Sequence, residues 1–384
     1  MKVLHCPTTV GGNPQGLART ERLLGVDSVS WTLTQNVYGY PADRVICTSS
    51  GRFARTLWRW RGMAGVRQGF DVVHFNFGQS FSPLRVPTVG RGRISWLARA
   101  YNRYWAGPWE LADVGWAKKK GAVIAVTYQG DDARQGDVCR KQYPVHFAHH
   151  VPPGYYTDET DGHKRERIAY FERHADLIYA LNPDLLRVLP ARAQFLAYAS
   201  VDPRDWQPRF PNWDTLTVPH MIHAPSNRAV KGTAFLLQAV DRLRAENVTF
   251  QFTLVENLSH AEARQLYASA DLAVDQLLAG FYGAFAVELM ALGKPVVCQL
   301  NADDSQRLPE GMRRDLPLIH ADPGSIYRVL RSLLTDRKHE LPGQGERSRA
   351  FVERWHDPRE IAARVIRNYT HALAARRRDR DLAA

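Results

Sequence analysis

Residues 279–297 read AGFYGAFAVELMALGKPVV, and a single acidic residue interrupts an otherwise apolar helical pattern. Phe285, Leu289 and Leu292 fall at i, i+4 and i+7, the spacing of one core-facing stripe. Glu288 lies off that stripe. Gly293 supplies a helix stop, and Lys294-Pro295 leads into PVVCQL, whose β-branched run predicts a buried parallel strand. A short helix between two such strands lies close to the carboxyl edge of a sheet, where α/β proteins bind ligands. From this stretch alone, Glu288 is either a ligand-facing carboxylate or a solvent-facing residue of an amphipathic helix.

The same alternation extends outward in both directions. Strand-like runs MKVLHC, DVVHFNF, AVIAVTYQ, DLIYALN and FLAYAS occupy the first half, and PHMIHAP, VTFQFTLVE, DLAVDQL, PVVCQL and LPLIHA the second, with helical patterns between them. Parallel sheets with crossover helices are expected twice over, an α/β chain of two Rossmann-like domains facing across a cleft. The proline-rich stretch DPRDWQPRFPNWDTLTVP reads as the linker. The expected division is 1–209, 210–345 and a helical tail 346–384 packing back on the N-terminal domain.

At 384 residues and 45% hydrophobic, the chain can fill two cores and is not disordered. Cys6, Cys47, Cys139 and Cys298 are far apart and form no C-x-x-C pair, which argues against a zinc site or a disulfide framework. MKVLHCP opens as a strand without signal-peptide architecture, and no uncharged run reaches the ~18 residues of a membrane span. The expectation is a cytoplasmic protein, soluble or peripheral on the inner face of the membrane. The net charge of +12 favours anionic partners such as nucleotides or acidic lipid. GRFARTLWRWRGMAGVRQGF interleaves arginines with Phe53, Leu57, Trp58 and Trp60, so an anionic membrane surface is a candidate partner and a packed amphipathic helix the alternative. No nucleic-acid module accompanies the charge, and no nucleic-acid partner is expected.

Five stretches carry the candidate site residues. Gly11, Gly12 and Gly16 in VGGNPQG precede a helix, as in a close approach to phosphate or sugar, or simply in a structural turn. VTYQGDDAR places Gln129, Asp131, Asp132 and Arg134 after a strand; one aspartate capping the next helix and the other pairing with Arg134 outweighs a metal site. His74 and Asn76 end a neighbouring strand, facing a ligand or hydrogen-bonded in the core. Arg228 and Lys231 in NRAVKGT precede a helix, where cations and helix amides suit a diphosphate, the alternative being a solvated loop. His146 and His150 in HFAHH have zinc spacing only if helical, and VPPG follows them directly.

Taken in order, these motifs resemble family-four retaining glycosyltransferases of GT-B architecture over most of the chain. VGGNPQG, VTYQGDDAR, NRAVKGT and YASADLAVDQLLAGFYGAFAVELMALGKPVV carry the likeness. The resemblance implies transfer of a sugar from a nucleotide diphosphate sugar to an acceptor hydroxyl, in surface polysaccharide or glycolipid assembly, with retained configuration. It implies Glu288 on the nucleotide ribose, Lys231 on the phosphates with Arg228 beside it, and Glu256 near the base. Gly12, Tyr282, Gly283 and Ala284 would complete the donor site, while His74, Asn76, Gln129 and Arg134 would face a glycan or lipid-linked acceptor. Asp132, Arg228 and Lys231 are the catalytic candidates, with no cofactor and no metal. Three positions depart from the family pattern: Gly280 stands where its first glutamate belongs, Ser226 where its arginine belongs, and Gln129 where histidine is frequent. Asp275 or Gln276 is the candidate replacement for the missing glutamate. A nucleotide-sugar epimerase, or a non-catalytic nucleotide-sugar or polyanion-binding protein, is the alternative.

Overall fold

Short, mainly apolar runs that bury both faces assemble into two parallel sheets, each held by its own core. The computed structural model describes the chain apart from residues 37, 49–50, 89–94 and 384, and apart from the side chains of residues 52–54, 95, 380 and 383. The first unit comprises Met1–Val138, Pro153–Ser200 and Pro358–Ala384, the second Cys139–Pro152 and Val201–Asp357.

In the first unit the strands are β1 (Lys2–Cys6), β2 (Asp27–Thr32), β3 (Arg44–Val45), β4 (Val72–Asn76), β5 (Val123–Tyr128), β6 (Leu177–Ala180) and β7 (Gln194–Phe195). Their order is β3-β2-β1-β4-β5-β6-β7, so the topology reverses between β1 and β4. Leu4, Val73, Phe75, Ile124 and Val126 lie at the centre of the core. The strand β2, DSVSWT, is absent from the sequence reading because serines fill one of its faces while Val29 and Trp31 fill the other. Ser28 donates to Glu21 at 2.6 Å and Ser30 to Asp43 at 2.9 Å, so hydrogen bonds replace the expected apolar contacts. FLAYAS contributes only Phe195 to β7.

The second unit contains β8 (His220–His223), β9 (Gln251–Leu254), β10 (Leu272–Val274), β11 (Val296–Cys298) and β12 (Ile319–His320), in the order β12-β11-β10-β8-β9. Here the reversal lies between β8 and β10.

The unit boundaries differ from the sequence division in three places, each for a packing reason. The first junction falls at 200/201, because Trp206 and Trp213 of the proline-rich stretch are buried in the second unit instead of spanning a linker. Residues 139–152 group with the second unit, where the Phe147 amide donates to the Leu278 carbonyl at 3.0 Å. The tail divides: the helix Leu341–Trp355 packs on the second unit, where His356 meets the Tyr282 hydroxyl at 2.9 Å. The helix Pro358–Ala383 lies on the first unit, placing Tyr369 against His74.

Candidate functional site

The loops that follow β8 and β10, on either side of the reversal, bring three charged or polar groups together. His223 ends β8 and fixes the base of the site. Burial lowers its pKa to about 4, so the ring is neutral; its Nδ1 donates to the Val274 carbonyl at 2.8 Å, and Nε2 accepts from Thr233 Oγ1 at 2.9 Å. The Asn227 side chain then caps the one-turn helix Arg228–Lys231, accepting from the amides of Ala229 and Val230. Those amides are therefore engaged within the loop. At Gly232, φ is 73°, and a Cβ there would lie 3.1 Å from Leu278 Cγ and 3.2 Å from Leu277 Cβ. Only glycine turns the chain at that point without strain or displacement.

Lys231 Nζ lies 2.7 Å from Asp275 Oδ1, while Asp275 Oδ2 accepts the Gly283 amide at 2.7 Å. One buried carboxylate thus joins the lysine after β8 to the first turn of the helix Ala284–Ala291. Both groups that Asp275 holds, an ammonium and a helix N-terminal amide, are groups that bind phosphate oxygens. Gly283 and Ala284 are partly exposed at this helix entrance. Gln276 instead secures its own loop, donating to the Phe281 carbonyl, and Gly280 occupies the left-handed region at φ 74°, where the family's glutamate side chain would be strained.

Arg228 forms a two-pronged, solvent-exposed ion pair with Glu256, which follows β9; the Nε to Oε1 distance is 2.7 Å. Glu288 is buried and accepts from Nε2 of His260 at 2.6 Å. His260 begins the helix His260–Ser269, which the Ser259 and Glu262 capping box starts. The sequence reading missed this partner; the capping box was the available signal that His260 sits at a helix entrance.

Tyr282 requires a correction. Its side chain is fully buried, packed against the tilted Phe281 ring at 4.1 Å and bonded to His356, so it supports the helix Leu341–Trp355 and faces no donor. In the first unit, several expected acceptor-side residues also prove structural. His74 is completely buried between Tyr369 Oη at 2.5 Å and Thr127 Oγ1 at 2.6 Å, and burial holds its pKa well below the usual value. Asn76 is buried and donates to the His74 carbonyl at 3.1 Å. Arg134 is paired with Asp184 through Nε at 2.6 Å, its guanidinium 3.8 Å from Asp131. Asp132 is a loop staple, accepting from the Gln129 amide at 3.1 Å and the Gly130 amide at 2.6 Å, and burial raises its pKa to about 6. These positions satisfy buried polar groups and offer no free catalytic carboxylate or base.

Gln129 is half-buried beside the glycine turn, and Gly12 is buried within it. A Cβ on Gly11 would lie 3.8 Å from Gln129 Oε1, and one on Gly12, at φ 71°, would lie 3.2 Å from both Ser200 Cβ and Tyr40 Cε1. In HFAHH, His146 precedes a single 3₁₀ turn, Phe147–His149, and its Nδ1 accepts from the Ala148 amide at 3.0 Å, so the helical pair needed for a metal does not form. Among the described residues, no helix is long and apolar enough to cross a membrane.

No protein-family model matches the chain, and no curated protein matches its sequence. Solved structures do match its fold over nearly the whole length. Sucrose-phosphate synthase from Thermosynechococcus elongatus is 13% identical, with a TM-score of 0.59 over 98% of this chain and 100% of that one. Anabaena HepE, solved in complex with UDP-glucose, is 12% identical with a TM-score of 0.58 over 97% and 100%. A glycosyltransferase from Rickettsia africae is 11% identical with a TM-score of 0.54 over 97% and 98%. The chain therefore has the GT-B glycosyltransferase fold, two Rossmann-like units each built on a parallel sheet.

Proposed function

We propose that the chain transfers a sugar from a nucleotide diphosphate sugar to an acceptor hydroxyl, in the assembly of a surface polysaccharide or glycolipid. The observation that carries this reading is the Lys231, Asp275 and Gly283 arrangement at the reversal of the second sheet, in a fold that HepE shares and uses to hold UDP-glucose. An ammonium has three donors, so Lys231 can bind a donor phosphate while keeping its bond to Asp275. Arg228, in its exposed pair with Glu256, is available to exchange that carboxylate for a second phosphate oxygen. Together the two cations stabilise the charge that develops on the leaving diphosphate, and no metal or other cofactor is required. Glu288 binds the ribose, with Glu256 and the end of β9 near the base.

Asp275 is committed to two partners, so it is ill suited to form a glycosyl-enzyme; this favours a front-face displacement that retains configuration. Leu57, Trp96, Tyr104, Trp105 and Trp109 are exposed on the first unit, and Trp60 links two of them, its ring lying 5.9 Å from Trp105 and 4.8 Å from Trp109. In this reading that ridge rests on an anionic membrane and brings a lipid-linked or glycan acceptor within reach.

A panel of nucleotide sugars tests the proposal by thermal stabilisation, since a ligand at 100 times its Kd adds about 2.7 kcal/mol to folding. One donor is expected to raise the melting temperature, and product analysis to show sugar on an added acceptor with activity persisting in EDTA. Release of free nucleotide and an epimerised sugar without acceptor would establish an epimerase instead. Tight binding without turnover would leave a binding protein.

A further inference from the structure

A separate cavity lies in the first unit, beyond the carboxyl ends of β1 and β2. It measures about 200 Å³, and Thr8, Thr9, Thr34, Gln35, Arg59 and Gln79 are among its lining residues. Drug-sized ligand sites run to roughly 300–1,000 Å³ and have mostly apolar walls. This one is smaller and polar, suited to one sugar or to a single charged group.

Two side chains in its wall are incompletely satisfied. Thr9 is 1% exposed, and its hydroxyl has no hydrogen-bond partner. Buried polar groups are nearly always bonded, so an orphan that lines a cavity marks a place where a ligand can supply the missing bond. Arg59 comes from the helix Arg52–Val66, and one of its terminal nitrogens donates to the carbonyls of Phe81 at 3.3 Å and Ser82 at 2.7 Å. Among the described residues, no carboxylate forms an ion pair with it. Asp113, the acid nearest in effect, is already taken by the Ser80 hydroxyl at 2.5 Å and the Phe81 amide at 2.9 Å. A guanidinium largely withdrawn from water, fixed by carbonyls and under the influence of Asp113 without a direct ion pair keeps donors to receive an anion. The remaining lining groups named above are hydroxyls and amides, which match sugar hydroxyls and not a lipid chain.

We infer that this cavity binds the acceptor through an anionic group, the phosphate or carboxylate of a sugar, with Arg59 as counter-charge and the Thr9 hydroxyl as a further hydrogen-bond partner. The inference rests on the transferase reading for the word acceptor, though not for the site itself. Neutral saccharides lack the group that Arg59 requires and bind weakly.

Calorimetric titration with glucose 6-phosphate, glucuronate and glucose at matched ionic strength is the test. One of the two anionic sugars is expected to bind at least tenfold more tightly than glucose, and which one does so separates phosphate from carboxylate. Thr9→Val and Arg59→Gln are each expected to lower that affinity at least fivefold, with Arg59→Lys intermediate. Thr9→Val removes a hydroxyl that has no protein partner, so its melting temperature stays level or rises; this variant decides the matter if Arg59→Gln does not fold. Equal affinity for all three sugars, or anion binding unchanged in Thr9→Val and Arg59→Lys, would overturn the assignment. Anion binding through Arg59 in a chain that no nucleotide sugar stabilises would remove the transferase reading and leave an anion site. Nucleotide-sugar binding without any anion effect at Arg59 and Thr9 would do the reverse.

Discussion

His260 Nε2 and Glu288 Oε1 lie 2.6 Å apart, which gives the acidic residue of the helix Ala284–Ala291 a protein partner. The hydrogen bond to Glu288 raises the His260 pKa above the ordinary value of 6.5, against the opposing effect of partial burial. The protonated imidazole is therefore favoured by folding. Its contribution is complete below about pH 6.5 and is lost as pH rises through the raised value. Denaturant titrations of wild type and His260→Gln should show a stability gap larger at pH 6 than at pH 9, with a difference on the order of 1 kcal/mol for this partly exposed pair. A gap that is flat, or that grows with pH, would show that the pair is not ionic.

Lys231 and Asp275 impose a different experiment from simple charge removal. Asp275 is 1% exposed, so Lys231→Ala leaves a buried carboxylate without its cation. Breaking such a pair costs about 3–5 kcal/mol, and lost activity in that variant would mix lost folding with lost binding. The double variant Lys231→Met with Asp275→Asn removes both charges and keeps an acceptor for the Gly283 amide. It is expected to recover most of the stability in urea titrations while nucleotide-sugar binding remains at least tenfold weaker. Donor affinity equal to wild type in the folded double variant would place the phosphates elsewhere.

The glycine turn shows how packing can imitate a ligand motif. Gly16 lies inside the helix Asn13–Leu23, and a Cβ on it would come 2.5 Å from the Ala199 carbonyl oxygen and 3.0 Å from Ser200 Cα. The obstruction is backbone, which cannot rotate away. Gly16→Ala is expected to destabilise the chain by about 1–3 kcal/mol, read by thermal unfolding, whether or not a ligand is present. Unchanged stability would mean that the helix and the Ala199–Ser200 segment separate freely.

The parallel strands were legible because short, mainly apolar runs at β1, β4, β5, β8, β10 and β11, β-branched at β4, β5 and β11, require burial on both faces. β2 was not, since Ser28 and Ser30 are buried by virtue of Glu21 and Asp43, polar partners outside the strand that periodicity does not reveal. The loop bearing Lys231 was legible from charge beside glycine, and so was the helix bearing Glu288. Their partners were not, because Asp275 and His260 reach the site from other loops, and periodicity carries no information about which polar groups meet. His74 and Arg134 looked like ligand groups for the same reason: a polar residue toward the end of a strand or in the loop beyond it reads alike whether it meets a substrate, Tyr369 or Asp184.

The exposed aromatic ridge gives the last prediction and narrows the basic stretch that suggested a membrane. Arg52 and Phe53 have side chains outside the described residues. Arg59 is held by the Phe81 and Ser82 carbonyls and belongs to the cavity wall, so it is not free to meet lipid. What faces outward is Leu57 at 64% exposure, Trp96 at 63% and Tyr104 at 73%, with exposed Arg61 and Arg103 lying over the rings of Trp58 and Tyr104. Tryptophan and tyrosine partition to the headgroup boundary, and each arginine near an anionic surface adds about 1 kcal/mol of attraction. Co-sedimentation should therefore require vesicles containing phosphatidylserine and weaken as salt is added. Arg61→Gln with Arg103→Gln is expected to lower the partition coefficient by roughly 10–30-fold, while Trp96→Ala with Tyr104→Ala weakens binding even at low salt, because it removes apolar insertion. Equal recovery in the supernatant with neutral and anionic vesicles at low salt would assign the ridge to some other partner, and the acceptor would have to arrive without help from the membrane.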